Sequence, residues 1–456
     1  MVHMHSSYDA GKQQLLLHCR QEVRCSHPLV IPLSIGLLAA DGHDMKVSCS
    51  HRYSRALSDG SKHELLLILD SMETSFVLDG VLEQPVLTYL RGGFSAPVRL
   101  HIKRSIRDLS LLAAHDCDGV SRWSAMQELW NMCFFANECD RTAAAAAIAA
   151  AFRALGAQAA VAALDSDKVW QFARLCTIPS VAHMLQQQAA TTQPPVQTPN
   201  TLWSLHRAIC SDIANQAQDS IQQLLFDGAP SISSIRWRGA VASCSGNASS
   251  SEEMAQRAAF DTGMHVLCCA GGRVAALALQ LSNDLVLSSS HPMTSRLSAL
   301  HRLLQSDSKH AQHMRLAASQ FFFDEWKGDE LVLQSWMAAH AGSGASDTLA
   351  RVKSIVSSPC FRFHVPNDVY ALLVTFARSS PCQFYSSEGL ELVVEAVLRL
   401  DRTNPQVAAR LVRCFSDVRQ LSADECAGAV GSVQRIAAAA VSPDVKELCN
   451  RNLDAA

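Results

Sequence analysis

At 456 residues the chain is too long for one ordinary hydrophobic core, so two or three domains are expected. Hydrophobic residues make up 48% and charged residues 18%, which excludes a disordered polar chain. A formal net charge of −3 provides no basic field for nucleic acid or an anionic membrane, so neither is an expected partner.

The N-terminal "MVHMHSSYDAGKQQ" has no apolar signal core. The run "LVIPLSIGLLAA" has twelve residues and contains Pro32, short of the roughly 20 needed to cross a bilayer. A reducing, cytoplasmic setting is therefore expected. Residues 1–110 read as short strands: "QLLLHCRQEV", "LVIPLSIGLL", "HELLLILD", "TSFVLD" and "APVRLHIK". Turn signals divide them at "DAGK", "ADGHD", "SDGSK", "LDG" and "RGG", a spacing that predicts an antiparallel β-sandwich of about 100 residues.

Near residue 111 the hydrophobic period becomes helical. "SRWSAMQELWNMCFFANE" predicts a helix capped by Ser121, with Trp123, Met126, Leu129 and Trp130 on one face. "RTAAAAAIAAAFRALG" predicts a helix stopping at Gly156. More than a dozen helical stretches follow with short connections and no strict repeat, as in a solenoid-like array of the ARM or HEAT kind. The fold expected is thus an all-β sandwich over 1–107 followed by an all-α helical domain over 108–456. Two segments read as linkers by their Pro, Ser and Thr content, "QQQAATTQPPVQTPN" and "SCSGNASSSEE".

Candidate chemistry is sparse. The only His-Glu dipeptide, His63-Glu64, suggests a zinc-peptidase helix, which needs a second histidine four residues after the first. That position is Leu67, and the run that follows is strand-like. His310 and His313 share a helix face, with the nearest acids, Asp324 and Glu325, more than two turns on. Ser95 in "GGFSAPV" lacks the second glycine of a nucleophile turn and is followed by Pro97 after Ala96. The aromatics Phe321, Phe322, Phe323 and Trp326 read as core, and "CCAGGR" has no phosphate-loop pattern. Sixteen cysteines run from Cys19 to Cys449 without a CxxC pair, and the spacings Cys19/Cys25 and Cys133/Cys139 do not suit zinc. They read as reduced thiols serving as small hydrophobes. No catalytic residue and no metal ligand is assigned.

Several phrases together carry a resemblance. The run "TSFVLDGVLEQPVLTYLRGGFSAPVRL" (74–100) resembles the end of the Ig-like β-sandwich in bacterial-type aminopeptidase N, peptidase family M1, with Gly92-Gly93 where one residue is usual. "SSYDAGKQQLLLHCRQ" and "HPLVIPLSIGLLAADG" are similar to that domain's first strands. "SRWSAMQELW", "CTIPSVAHM", "GDELVLQSWMAAHA" and "DRTNPQVAARLV" match landmarks of its helical C-terminal domain in order. The resemblance covers residues from about 6 to the end.

In that family a separate catalytic domain holds zinc through His-Glu-x-x-His and a distant Glu, and holds the substrate amine through Gly-x-Met-Glu-Asn. The resemblance implies that neither motif is present here: the only Met-Glu, Met72-Glu73, continues to Thr74. It implies no cofactor in this chain, the zinc belonging to the catalytic domain, and a separate catalytic half and peptide substrates as partners. It further implies a helical domain that caps the active site and controls peptide access, with Arg410 as a channel residue. "VPNDVY" departs from the family's usual pattern by placing Tyr370 where a channel arginine is expected, and "SSEGL" (386–390) departs likewise. The rival reading is a standalone helical scaffold with no peptidase role.

Overall fold

The computed structural model describes residues 1–23, 27–46, 48–49, 54–59, 62–89, 91, 95–161, 165–191, 198–237, 251–416 and 421–455. Gly92-Gly93, Cys25 and much of both predicted linkers lie outside the described residues. The chain divides into two compact units, Met1–Ala162 with Arg174–Cys176, and Ala163–Ala173 with Thr177–Ala456.

Among the described residues the first unit begins with nine strands: β1 Val2–Asp9, β2 Gln14–Gln21, β3 Ile31–Leu38, β4 Ser48–Cys49, β5 Ser54–Asp59, β6 Lys62–Leu69, β7 Glu73–Asp79, β8 Val86–Tyr89 and β9 Leu100–His101. They form two sheets, β4-β7-β2-β1-β9 and β5-β6-β3-β8. Strand β2 shows why these residues make a sandwich. Leu15, Leu17 and Cys19 point inward and are buried, while Leu16, His18 and Arg20 alternate outward. The inward rows of β3, β6 and β7 supply Leu33, Ile35, Leu65, Leu67, Phe76 and Leu78 to the same core. Each such fully buried side chain contributes about 1.5–3 kcal/mol.

Strands β1, β4, β5 and β8 are absent from the sequence reading, because their apolar alternation is short or interrupted by polar residues. One expectation needs correction: the sandwich is not wholly antiparallel, since β9 pairs parallel to β1, with Val2 opposite Leu100 and His3 opposite His101. Only Leu100–His101 of the predicted strand "APVRLHIK" is extended in a ladder.

Three helices complete most of this unit: α1 Ile106–His115, α2 Gly119–Phe135 and α3 Glu138–Val161. Helix α1 has a reciprocal capping box between Ser105 and Asp108. Helix α2 starts two residues before the predicted cap. Its N-cap is Asp118, whose carboxylate accepts from Val120 N and Ser121 N, and Ser121 Oγ instead accepts from Thr88 and donates to Tyr89 O. Met126, Leu129 and Trp130 are buried, but Trp123, at the same stripe's outer end, is half exposed. Gly156 does not stop α3; it is a buried mid-helix position, and the helix runs on to Val161. Among the described residues α3 alone is long and apolar enough to cross a membrane, and 56% of that window is buried within the protein.

The second unit is built of helices that pack on their sequence neighbours. Those used below are α6 Pro199–Leu225, α7 Ser251–Cys269, α8 Gly272–Leu287, α9 Met293–Gln305, α10 Lys309–Trp326, α11 Glu330–Ala341, α16 Ser387–Asp401 and α17 Pro405–Val412, counting every α-helix in chain order. Helix α9 packs on α8, α10 on both, and α17 on α16. Such one-after-next contact produces an array rather than a closed bundle. Polar caps set its starts: Ser308 for α10, Asp329 for α11, Asn404 with Pro405 for α17.

Candidate functional site

His63 and Glu64 open β6, not a helix. The His63 backbone donates to Asp44 Oδ2 at 3.2 Å, and Glu64 Oε2 accepts from Ser34 Oγ at 3.1 Å. Leu67 is fully buried in the sandwich core. The pair sits beside a group that was not singled out in the sequence, Arg91 of the "LRGGFSAPV" phrase. Arg91 is wholly buried and its guanidinium reaches Asp44 Oδ2 at 3.0 Å, Asp44 Oδ1 at 2.8 Å, Asp116 Oδ1 at 3.0 Å and the His63 carbonyl at 3.3 Å. Burial pushes the Asp116 carboxyl above its ordinary value, against the pull of Arg91. Gly36 on β3 makes room for the guanidinium, since a Cβ there would run into it. Ser95, weighed as a nucleophile, accepts from the Ser34 backbone N–H at 2.9 Å. The phrase therefore ties strands together.

The two channel candidates meet in the second unit. Arg410, exposed on α17, lies with its guanidinium 4.5 Å from the ring centre of Tyr370. Tyr370 begins a π-helical turn, Tyr370–Val374. A cation over an aromatic face at an exposed position contributes about 0.5–1 kcal/mol. Tyrosine at this place thus gives Arg410 an electrostatic partner where a second arginine would repel it. Nearby in the same phrase, Asp368 is buried and receives Arg362 Nε at 2.8 Å and Gln334 at 3.0 Å.

In "SSEGL", Ser386 caps α16 by accepting from Gly389 N, and a Cβ on Gly389 would run into the Gln383 carbonyl. Gly389→Ala is accordingly expected to destabilise the helical unit by about 1–3 kcal/mol, read as a lowered midpoint in thermal melts of the full chain.

A cavity of about 620 Å³ opens among α6 to α10 and the segments after α11, lined by Trp203, His206, Cys210, His265, Arg302 and Asp307 among others. Trp203 stacks on His206 with 4° between the rings, and Gly344 lacks the side chain that would collide with the Trp203 indole. His206 Nε2 donates to the Pro179 carbonyl at 2.7 Å. Burial holds His265 down to about 3, with His301 and Arg302 adding to the effect, and pushes Cys268 and Cys269 up to about 11 and 12. At neutral pH these are uncharged imidazole and thiol groups. A thiolate–imidazolium nucleophile needs shifts of the opposite sign. The cavity lining was not legible in the sequence, because its residues come from six separated stretches and follow no spacing rule.

The remaining candidates are structural. His310 and His313 are exposed on the first turns of α10. Glu325 is held by Arg296 at 2.7 Å through both oxygens, and Asp324 by Lys327 at 3.0 Å. Phe322 is buried as expected, but Phe321 is exposed, with Arg296 5.6 Å from its ring centre. Fourteen described cysteines are free thiols, among them buried Cys19 and Cys133 and exposed Cys139. Among the described residues no three His, Cys, Asp or Glu side chains converge on a metal position.

Comparison with known proteins agrees with this architecture. Residues 1–103 match the family described as "Domain of unknown function (DUF3458) Ig-like fold", and residues 106–454 match "Domain of unknown function (DUF3458_C) ARM repeats". Aminopeptidase N of Caulobacter vibrioides is 28% identical over 384 residues, 83% of this chain and 39% of that protein. Aminopeptidase N of Escherichia coli is 26% identical over 397 residues, 84% of this chain and 40% of that protein. The crystal structure of Legionella pneumophila aminopeptidase A in complex with aspartic acid superposes with a TM-score of 0.73 at 23% identity, covering 100% of this chain and 49% of that one. The chain thus spans about two-fifths of the length of the curated relatives it matches, over their C-terminal part. Matched along nearly its whole length, it belongs to the DUF3458 family, with the Ig-like domain first and the ARM-repeat domain after it.

Proposed function

We propose that this chain acts as the non-catalytic C-terminal part of an M1-type zinc aminopeptidase. Its helical unit caps the active site of a separate catalytic half and controls which peptides enter, and the whole assembly removes N-terminal amino acids from peptides in the cytoplasm. The Ig-like unit is the spacer that docks to the catalytic half. The observation that carries this reading is the ordered match of both domains to the C-terminal part of aminopeptidases N.

Three further observations support it. Leu29, Val30 and Met72 are 51%, 72% and 46% exposed at one end of the sandwich. They are gathered there by Gln21, whose side chain bonds the Leu29 backbone and the Ser71 carbonyl and whose N–H bonds the Met72 carbonyl. Exposed apolar side chains held there suit a protein partner. Arg410 over Tyr370 would provide a cationic, aromatic element for the channel wall. Buried thiols such as Cys19, packed as apolar groups, suit a reducing compartment.

The purified chain alone is expected to show no chelator-sensitive turnover of an aminoacyl-anilide. Co-expressed with the catalytic half, it is expected to co-elute with it and to narrow the length of peptides accepted. Chelator-sensitive turnover by the chain alone, or failure to co-elute, would sink the reading in favour of another enzyme or of a standalone scaffold respectively.

A further inference from the structure

The outer face of the five-stranded sheet gathers histidines that are far apart in sequence. On β1, His3 and His5 alternate outward between buried Val2 and Met4 and the exposed residues that follow. Antiparallel register sets His18 of β2 directly opposite His5. Parallel register sets His101 of β9 directly opposite His3, and the two rings stack with centres 5.3 Å apart. Side chains two apart on one strand are separated by about 6.6–6.8 Å, and directly opposed Cβ atoms by about 4.5–5.5 Å. His3, His5 and His18 therefore occupy three corners of one small patch of sheet. They line a cleft of about 490 Å³ together with His101 and Arg20.

We propose that this patch binds a borderline divalent transition-metal ion of the zinc, nickel or copper class through His3, His5 and His18, with His101 at its edge. Imidazole is the ligand type such ions prefer among nitrogen and oxygen donors. Two of the rings already have an orienting partner of the kind that metal-binding histidines use. His3 Nε2 lies 3.1 Å from Glu22 Oε2, and His18 Nδ1 lies 3.1 Å from Ser75 Oγ. In each case the other ring nitrogen is left for an ion. As the side chains stand, no three of them converge. Binding closes the site by turning partly exposed imidazoles between staggered rotamers, which costs little at a surface. Metal–nitrogen bonds of about 2.0–2.1 Å then require ring nitrogens of neighbouring strands to approach within about 3 Å.

The charges facing the patch come from each neighbouring strand and its flanks. Arg20 stands opposite both His3 and Glu73, Glu22 faces His3, and Lys103 follows β9. These two cationic and two carboxylate side chains balance one another. The ion would link three adjacent strands and fix the N-terminal strand in place.

The test uses the full chain without a histidine tag, titrated calorimetrically with zinc chloride and copper chloride at about pH 7.5. One ion per chain is expected, a nitrogen-coordinated copper signal in electron paramagnetic resonance, and a raised melting temperature. His5→Gln should weaken binding at least about tenfold, and the double variant His3→Gln/His18→Gln should abolish it with unchanged circular dichroism. His310→Gln/His313→Gln should bind as the parent does. Absence of saturable binding, or binding that survives the sheet variants, overturns the proposal; loss in the helix variant instead relocates the ion and overturns it equally.

Discussion

Replacing Arg91 by alanine is expected to cost the first unit about 3–5 kcal/mol, because it strands buried charge. The guanidinium is the shared partner of Asp44 and Asp116, at 2.8–3.0 Å from both, and all three side chains are almost wholly buried. Asp116 Oδ2 has no hydrogen-bond partner, and the other donors to the two carboxylates, such as the backbone N–H groups of Asp118 and His63, are neutral and supply no counter-charge. The loss would appear as a lower denaturant midpoint for the sandwich-containing unit. A variant that also removes the stranded charge, Arg91→Met with Asp44→Asn and Asp116→Asn, should recover much of it, since an uncharged replacement is often neutral. If Arg91→Ala melts as the parent does, the cluster is not what holds β3, β6 and the start of α2 together. Gly36→Ala should mimic part of the effect, because its Cβ would displace the guanidinium.

Acidification is expected to unfold the helical unit well above the pH at which exposed carboxylates titrate. Burial is the leading cause that holds His265 and His340 down to about 3 and His301 to about 4, and it lowers His206 as well. These groups are neutral in the folded unit and protonate near 6.5 once unfolded. Their contribution is fully present above about 6.5 and is lost as pH falls toward their folded values. Each costs about 1.4 kcal/mol per pH unit over that window. Asp261, pushed up by burial, works in the opposite sense and offsets a part at the lower end. His340 is the sharpest case: its Nε2 meets Ser319 Oγ at 2.8 Å, Trp336 donates to the same hydroxyl at 3.0 Å, and Nδ1 has no partner. Melting temperatures should fall steeply between about pH 6.5 and 4.5, and His340→Leu should flatten that slope by about one proton. A melting temperature constant over that range would show that these histidines open to water without unfolding.

Much of the architecture was legible in the chain because its cause is local. The alternation Leu15, Leu17, Cys19 against Leu16, His18, Arg20 can be satisfied by a strand with one buried face and hardly otherwise. The helical period after residue 111 similarly acts within a turn or two. Boundaries misled where two local signals competed. Ser121 is a good cap residue, yet Asp118 caps α2; Gly156 is a good stop, yet α3 continues through it with that glycine buried. Contacts beyond the helix accompany both: the Ser121 hydroxyl is bonded to Thr88 and Tyr89, and Gly156 is packed in the interior.

The two channel candidates came from resemblance and not from any pattern in the chain, and only the fold put the Arg410 guanidinium over the ring of Tyr370, forty positions earlier. The His63-Glu64 pair suggested metal through helical spacing and lies at the start of a strand. Histidines that do share a face, His3, His5, His18 and His101, were invisible to such spacing, since sheet register gathers them from both ends of the sandwich. By itself the sequence determined a strand region followed by a helical region, because hydrophobic period acts between near neighbours. Tertiary structure alone decided the Arg91 cluster, the cavity around Trp203 and the histidine face, because strand pairing and helix packing set distances that chain separation does not encode.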